Sequence, residues 1–129
     1  RTWIYFDELS VLFSYEWSTN FLDVSWKRYR KYGALASGIF QNLDQALDNE
    51  VARSMISNSE FLVLLNQAAS DRTKLADLLH ISDTQLSYVT DSEAGRGLLK
   101  MGGSLVPFIN DIPKDTQLYK LMSTRPGEV

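Results

Sequence analysis

The sequence runs to 129 residues, about one domain, with the 44% hydrophobic and 22% charged residues of an ordinary soluble globular chain. Its net charge of −3 offers no general attraction to nucleic acid or an anionic membrane, which leaves only a local basic patch for such contacts. There is no cysteine, which excludes a disulfide framework and a thiolate metal site and suits a reducing compartment.

The chain opens on an apolar run, Trp3-Ile4-Tyr5-Phe6, that ends in two adjacent carboxylates, Asp7 and Glu8. Short runs rich in aromatic and branched residues read as buried strands. In open α/β sheets the working crevice lies beyond the carboxyl ends of the strands. The pair is therefore either placed for chemistry or is an ordinary exposed strand ending. The segment from Leu9 to Trp17 is aromatic and irregular. Ser18 or Thr19 then offers a cap for a helix to about Tyr32, with Leu22, Trp26 and Tyr29 on one face and Phe21 and Tyr32 beside it. Lys27, Arg28, Arg30 and Lys31 crowd its last turns before Gly33. Cations there complement the helix dipole; the alternative reading is a phosphate or DNA contact, with Tyr29 and Tyr32 as stacking partners.

Ala34 to Phe40 reads as a second strand, ending in Gln41-Asn42. Asp44 to Ser57 reads as one helix, with Leu43, Leu47, Val51 and Met55 inward. Phe61 to Leu65 is a third strand, ending in Asn66-Gln67, and so apolar that it should be covered on both faces. Three strands separated by two helical stretches indicate a βαβαβ unit and an α/β fold. Asp71 to Leu79 reads as a short helix, and Ser82 with Gln85 has capping-box spacing for another. Gly95 to Gly103 reads as a strand running into a tight turn, and Ser104 to Ile109 as its antiparallel partner, with Pro107 marking an edge. A last helix, Pro113 to Met122, should turn Leu118 and Leu121 inward before a frayed tail, Arg125 to Val129.

Few residue types for catalysis are present. His80 is the only histidine, and at a helix end it reads as a cap or dipole partner. No Gly-x-Ser-x-Gly elbow occurs, and the glycines at 95, 97, 102 and 103 lack the following helix and Lys-Ser/Thr of a phosphate loop. What remains is Asp7-Glu8, Gln41 and Asn66-Gln67, each at the carboxyl end of a predicted strand. Parallel neighbours would line these ends along one rim. Phosphoryl transfer needs a magnesium ion, a positioned water and a group that senses the γ-phosphate; Asp7, Glu8 and Gln41 suit those roles in that order.

Several stretches in sequence order carry a family resemblance: Ile4-Tyr5-Phe6-Asp7-Glu8, Arg30-Lys31-Tyr32-Gly33, Gly38-Ile39-Phe40-Gln41-Asn42, Asn58 with Phe61 to Gln67, and Gly95-Arg96-Gly97-Leu98-Leu99. From Thr2 to about Ile112 the chain resembles the C-terminal part of the motor domain of VirB-type conjugation and type IV secretion ATPases, in the FtsK/HerA branch, with the flavour of Gram-positive conjugative transposons. The resemblance implies an α/β fold: the C-terminal portion of a RecA-like P-loop NTPase sheet, with flanking helices and a C-terminal β-hairpin, residues 1–129 forming one unit. It implies that Asp7 and Glu8 are the Walker B pair, Asp7 toward Mg²⁺ through water and Glu8 as catalytic base, with Gln41 as the sensor of ATP. Arg72 and Arg96 become candidates for the arginine that reaches a neighbouring subunit in a hexameric ring. Secretion-channel components and DNA are the implied partners, and the implied place is cytoplasmic, at the inner face of the bacterial membrane.

The Walker A loop is absent from the 129 residues. With Arg1 inside a strand and no initiator Met, the chain reads as a piece of a longer protein that by itself neither holds ATP tightly nor hydrolyses it. The competing readings are a non-enzymatic module that binds a partner protein or DNA through Phe13 to Trp17 and the basic helix end, and a small regulator phosphorylated on Asp7.

Overall fold

Two short sheets carry helices on one side in the computed structural model, which describes residues 1–41, 43–66, 69–90 and 92–123. The first sheet is parallel: β1 (Thr2–Phe6) pairs with β2 (Ala34–Gly38), from Thr2 opposite Ala34 to Phe6 opposite Gly38. Between them run α1 (Leu9–Leu12), α2 (Glu16–Tyr29) and a 3₁₀ turn (Arg30–Tyr32). The second sheet is antiparallel, ordered β3 (Phe61–Leu64), β4 (Arg96–Met101), β5 (Ser104–Ile109). The remaining helices are α3 (Asp44–Leu47), α4 (Glu50–Ser57), α5 (Ala69–Leu79), α6 (Asp83–Leu86) with a 3₁₀ turn (Ser87–Val89), and α7 (Gln117–Met122).

The α/β class, the parallel β1–β2 pair and the β4–β5 hairpin agree with the sequence reading, and Pro107 lies on the edge strand β5. The expected continuous βαβαβ unit is not formed among the described residues, because β3 takes β4 as its antiparallel neighbour. An apolar run does not encode which strand it pairs with; the β4 partner comes from more than thirty residues downstream. Helix starts moved as well. α2 begins at Glu16, so Ser18 and Thr19 lie inside it. There the Ser18 hydroxyl, buried, donates to the carbonyls of Leu12 and Tyr15, and the Thr19 hydroxyl donates to Tyr15 O at 3.0 Å. These bonds tie α2 to the end of α1. The single helix expected over 44–57 is two, because Asn49 caps α4 by accepting from the amides of Val51 and Ala52 at 2.9 and 3.1 Å.

Two apolar clusters make the core. In one, Leu9 and Leu22 are fully buried with Met55, and Phe6, Phe13 and Trp26 pack around them. The other holds Leu64, Leu75, Val89, Leu98 and Ile56. Met55 and Ile56 are consecutive on α4, and Phe40 packs against both clusters, so α4 and the end of β2 join the two sheets. Each fully buried Leu contributes about 1.5–3 kcal/mol. Among the described residues helices cover one face only: Phe61 and Val63 of β3 are exposed, against the expectation of cover on both faces. Leu118 and Leu121 of α7 are exposed as well, a six-residue helix being too short to carry a broad inner face. The tail from Arg125 lies outside the described residues.

Candidate functional site

Parallel pairing brings the carboxyl ends of β1 and β2 to one rim, and the ladder continues past both strands. Ile39 N–H donates to Phe6 O at 2.9 Å, and Leu9 N–H donates to Ile39 O at 2.9 Å. Asp7 and Glu8 thus form a two-residue crossing between two anchored positions. Glu8 takes a left-handed backbone, φ 50° and ψ 44°, which costs a residue with a Cβ about 1–2 kcal/mol. Such conformations persist where the surroundings over-determine them and cluster at functional sites. Here the surroundings are visible: Leu9, directly after Glu8, is buried against Leu22 and Met55. Glu8 N–H folds back onto Asp7 Oδ1 at 2.9 Å.

Gln41, three residues beyond the last residue of β2, reaches across this rim. Its Nε2 donates to Glu8 Oε1 at 3.2 Å, a contact between residues 33 apart in sequence. Asp7, Glu8 and Gln41 are all exposed, so the cluster is open to a ligand from solvent. Among the described residues no group of three His, Cys, Asp or Glu side chains could hold a metal ion. Asp7 and Glu8 are too few protein ligands for a dedicated metal cage.

Sequence reasoning passed over Gly38 as a structural part of this site. A Cβ there would sit 2.5 Å from Leu9 Cδ2 and 3.5 Å from the Trp26 ring. Leu9 can seat under Glu8 only because position 38 has no side chain. A glycine at the end of an apolar strand was the available signal.

The other candidates lie elsewhere. Arg96 begins β4 and pairs with Glu93 at 2.8 Å, on the wall of a cleft of about 520 Å³ that also takes in Tyr88, Ser92, Phe108 and Ile109. Arg72 is half-buried on α5, its Nε without a hydrogen-bond partner among the described residues. Neither guanidinium touches the Glu8–Gln41 contact. Asn66 is exposed just after β3; Asn42 and Gln67 lie outside the described residues. The basic cluster is at the opposite end of the parallel sheet, before β2. Its charges have local uses, with Lys27 paired to Asp23 at 2.5 Å and Lys31 Nζ 6.0 Å from the Tyr32 ring centroid. Gly33 closes the turn with φ 68°. His80 is a cap: it holds the left-handed position after α5 (φ 54°), and Ile81 N–H returns to Ala76 O at 3.0 Å.

No family model matches this sequence, and no curated protein does. Among solved structures, VirB4 of Thermoanaerobacter pseudethanolicus superposes over 89% of this chain with a TM-score of 0.79 and 26% identity. The chain is VirB4-like. The similarity takes in 32% of the VirB4 chain, so the present sequence spans about a third of that relative's length. The VirB4-like fold agrees with the resemblance carried by the motifs from Ile4 to Leu99 and with a RecA-like α/β sheet. No helix among the described residues is long and apolar enough to cross a membrane.

Proposed function

We propose that residues 1–129 form the Walker B and sensor portion of an ATP-hydrolysing motor of type IV secretion or conjugative transfer. The observation that carries this reading is the 3.2 Å contact between Gln41 and Glu8 at the paired carboxyl ends of β1 and β2, in a VirB4-like fold. Glu8 is the general base. Its carboxylate takes the proton of the attacking water, while Gln41 holds the Oε1 side of that carboxylate and is displaced toward the γ-phosphate when nucleotide is in place. Asp7 accepts the Glu8 amide on one oxygen and would hold Mg²⁺ through water. Magnesium, when bound with ATP, neutralises charge developing on the phosphate oxygens. Arg96 or Arg72 serves a neighbouring subunit's site in a ring, since neither contacts this one. Secretion-channel proteins and the transferred DNA are the partners of such a motor, and the membrane's cytoplasmic side is its place of work.

The phosphate-cradling loop, Gly-x-x-x-x-Gly-Lys-Ser/Thr, does not occur in the 129 residues and in this reading comes from other polypeptide. Two measurements test the proposal. In a polypeptide carrying that loop together with these residues, Glu8→Gln lowers turnover by about 10²–10⁴-fold while nucleotide binding is retained; retained turnover removes Glu8 from the base role. Residues 1–129 alone release no phosphate from ATP beyond a Glu8→Gln control, and steady release above that control overturns the division of the site. The rival reading, a non-enzymatic interaction module, draws on the exposed Tyr15 and Trp17. It predicts that Glu8→Gln leaves every function of the protein intact.

A further inference from the structure

Past Ile39 the stretch that carries Gln41 has no backbone tether: among the described residues neither Phe40 nor Gln41 makes a backbone hydrogen bond. Gln41 is exposed, and its side chain has one partner, Glu8 Oε1 at 3.2 Å. A single exposed hydrogen bond adds little net free energy, and ordering a long amide side chain costs entropy of similar size. That contact therefore cannot by itself fix where Gln41 starts from. Another group holds the stretch.

Phe40 is placed to be that group. Ile39 is exposed, Phe40 is half-buried and Gln41 is exposed again, so the alternation of a strand carries on beyond β2. The Phe40 ring packs against both apolar clusters. It also lies parallel to the Phe13 ring, with centroids 6.1 Å apart and planes 5° apart, within the range of stacked aromatic pairs. Phe13 closes α1, and α1 starts directly after Glu8. The Glu8 segment and the Gln41 segment are thus joined twice. Leu9 N–H bonds to Ile39 O at the start of α1, and Phe13 stacks on Phe40 at its end.

We propose that Phe40 is the positioning residue of the Gln41 amide, an inference whose catalytic consequence rests on Gln41 being the sensor beside Glu8. The ring, held by Phe13 and the two clusters, fixes the backbone from which Gln41 reaches across the rim. Phe40 touches no reacting atom; it acts through Gln41. Its flat face is what the role requires, since a branched aliphatic side chain fills part of the same space but cannot stack on Phe13. A site whose polar groups are held by packed neighbours loses rate when those neighbours loosen, even where substrate still binds.

In residues 1–129 the nuclear magnetic resonance signal of the Gln41 side-chain amide reports the contact, and Glu8→Ala, which removes the acceptor, should shift it. Phe40→Leu should move that signal to the position of a free glutamine and make it indifferent to Glu8→Ala, whereas Phe40→Tyr, which keeps the ring, preserves both. Val89→Ala is the control for a general loss of packing: Val89 is buried on the 3₁₀ turn that packs on β4, and its truncation should leave the signal in place. Should Phe40→Leu fail to fold, Phe13→Leu removes the same stack from the other side, with the same expected result. A signal that still answers Glu8→Ala without the stack overturns the proposal, as does an equal shift in Val89→Ala or a parent chain whose amide ignores Glu8→Ala. In a polypeptide that also carries the phosphate-cradling loop, Phe40→Leu should lower kcat by up to about 10²-fold with KM little changed, and Phe40→Tyr should restore it. Turnover lost in Gln41→Ala but kept in Phe40→Leu overturns the proposal and leaves the sensor reading standing. Turnover kept in Gln41→Ala removes the sensor reading, and with it the catalytic half of the proposal.

Discussion

Gln41 meets Glu8 because a glycine three residues earlier leaves room for a leucine. The chain of causes runs from Gly38, through the buried Leu9, to the left-handed backbone of Glu8 and so to the direction of its carboxylate. Gly38→Ala should therefore act at a distance. Its Cβ meets the buried Leu9 side chain, and overpacking of this kind costs about 1–3 kcal/mol. Thermal unfolding of residues 1–129 should show a lowered midpoint, while the same substitution at Gly33, where no atom lies within 4 Å, should act only through its positive φ. An unchanged midpoint for Gly38→Ala would mean that Leu9 is not wedged as described. The rim itself was legible from residue types alone: carboxylates and an amide after apolar runs, brought together by parallel pairing. The wedge was not legible, because a Gly in a strand has no side chain whose pattern can be read, and its role exists only once β1 and β2 are aligned.

At the scale of elements, caps decided where helices start and stop. The capping box at Ser82 and Gln85 was readable and forms as expected, with Gln85 Oε1 accepting the Ser82 amide at 3.1 Å. Asn49 was not recognised, since it lies inside what the apolar spacing presents as a continuous helix. Hydrophobic periodicity runs through α3 and α4 alike because both face the same core, and it is blind to a break between them. His80 illustrates a cap by backbone conformation. Glycine is the residue best suited to the left-handed position after a helix. His80→Gly should accordingly raise stability by about 0.5–1 kcal/mol, seen as a higher urea midpoint at constant m-value. A lower midpoint would give the His80 side chain a role beyond closing α5.

For the whole molecule, the α/β class was readable from the alternation of apolar runs and helical stretches, whereas the division into two sheets was not. β3 carries the composition of a doubly covered strand, yet here it has one covered face and an antiparallel neighbour from the C-terminal hairpin. Its composition therefore speaks of an environment that these residues alone do not provide.

Ile39 bonds through its amide to Phe6 and through its carbonyl to Leu9. Both flanks of Asp7-Glu8 are thereby riveted to a single residue, and Gln41 leaves the same residue two positions later. Glu8 and Gln41 share one rigid mount. Drawing them apart by sliding one strand along the other would require breaking both bonds, whereas turning the Gln41 side chain breaks neither. Exposed side-chain rotation takes picoseconds to nanoseconds, against microseconds or longer for displacement of whole elements. On the proposed reading, this rim answers a phosphate group by a turn of one amide, faster than any motion of the surrounding sheet.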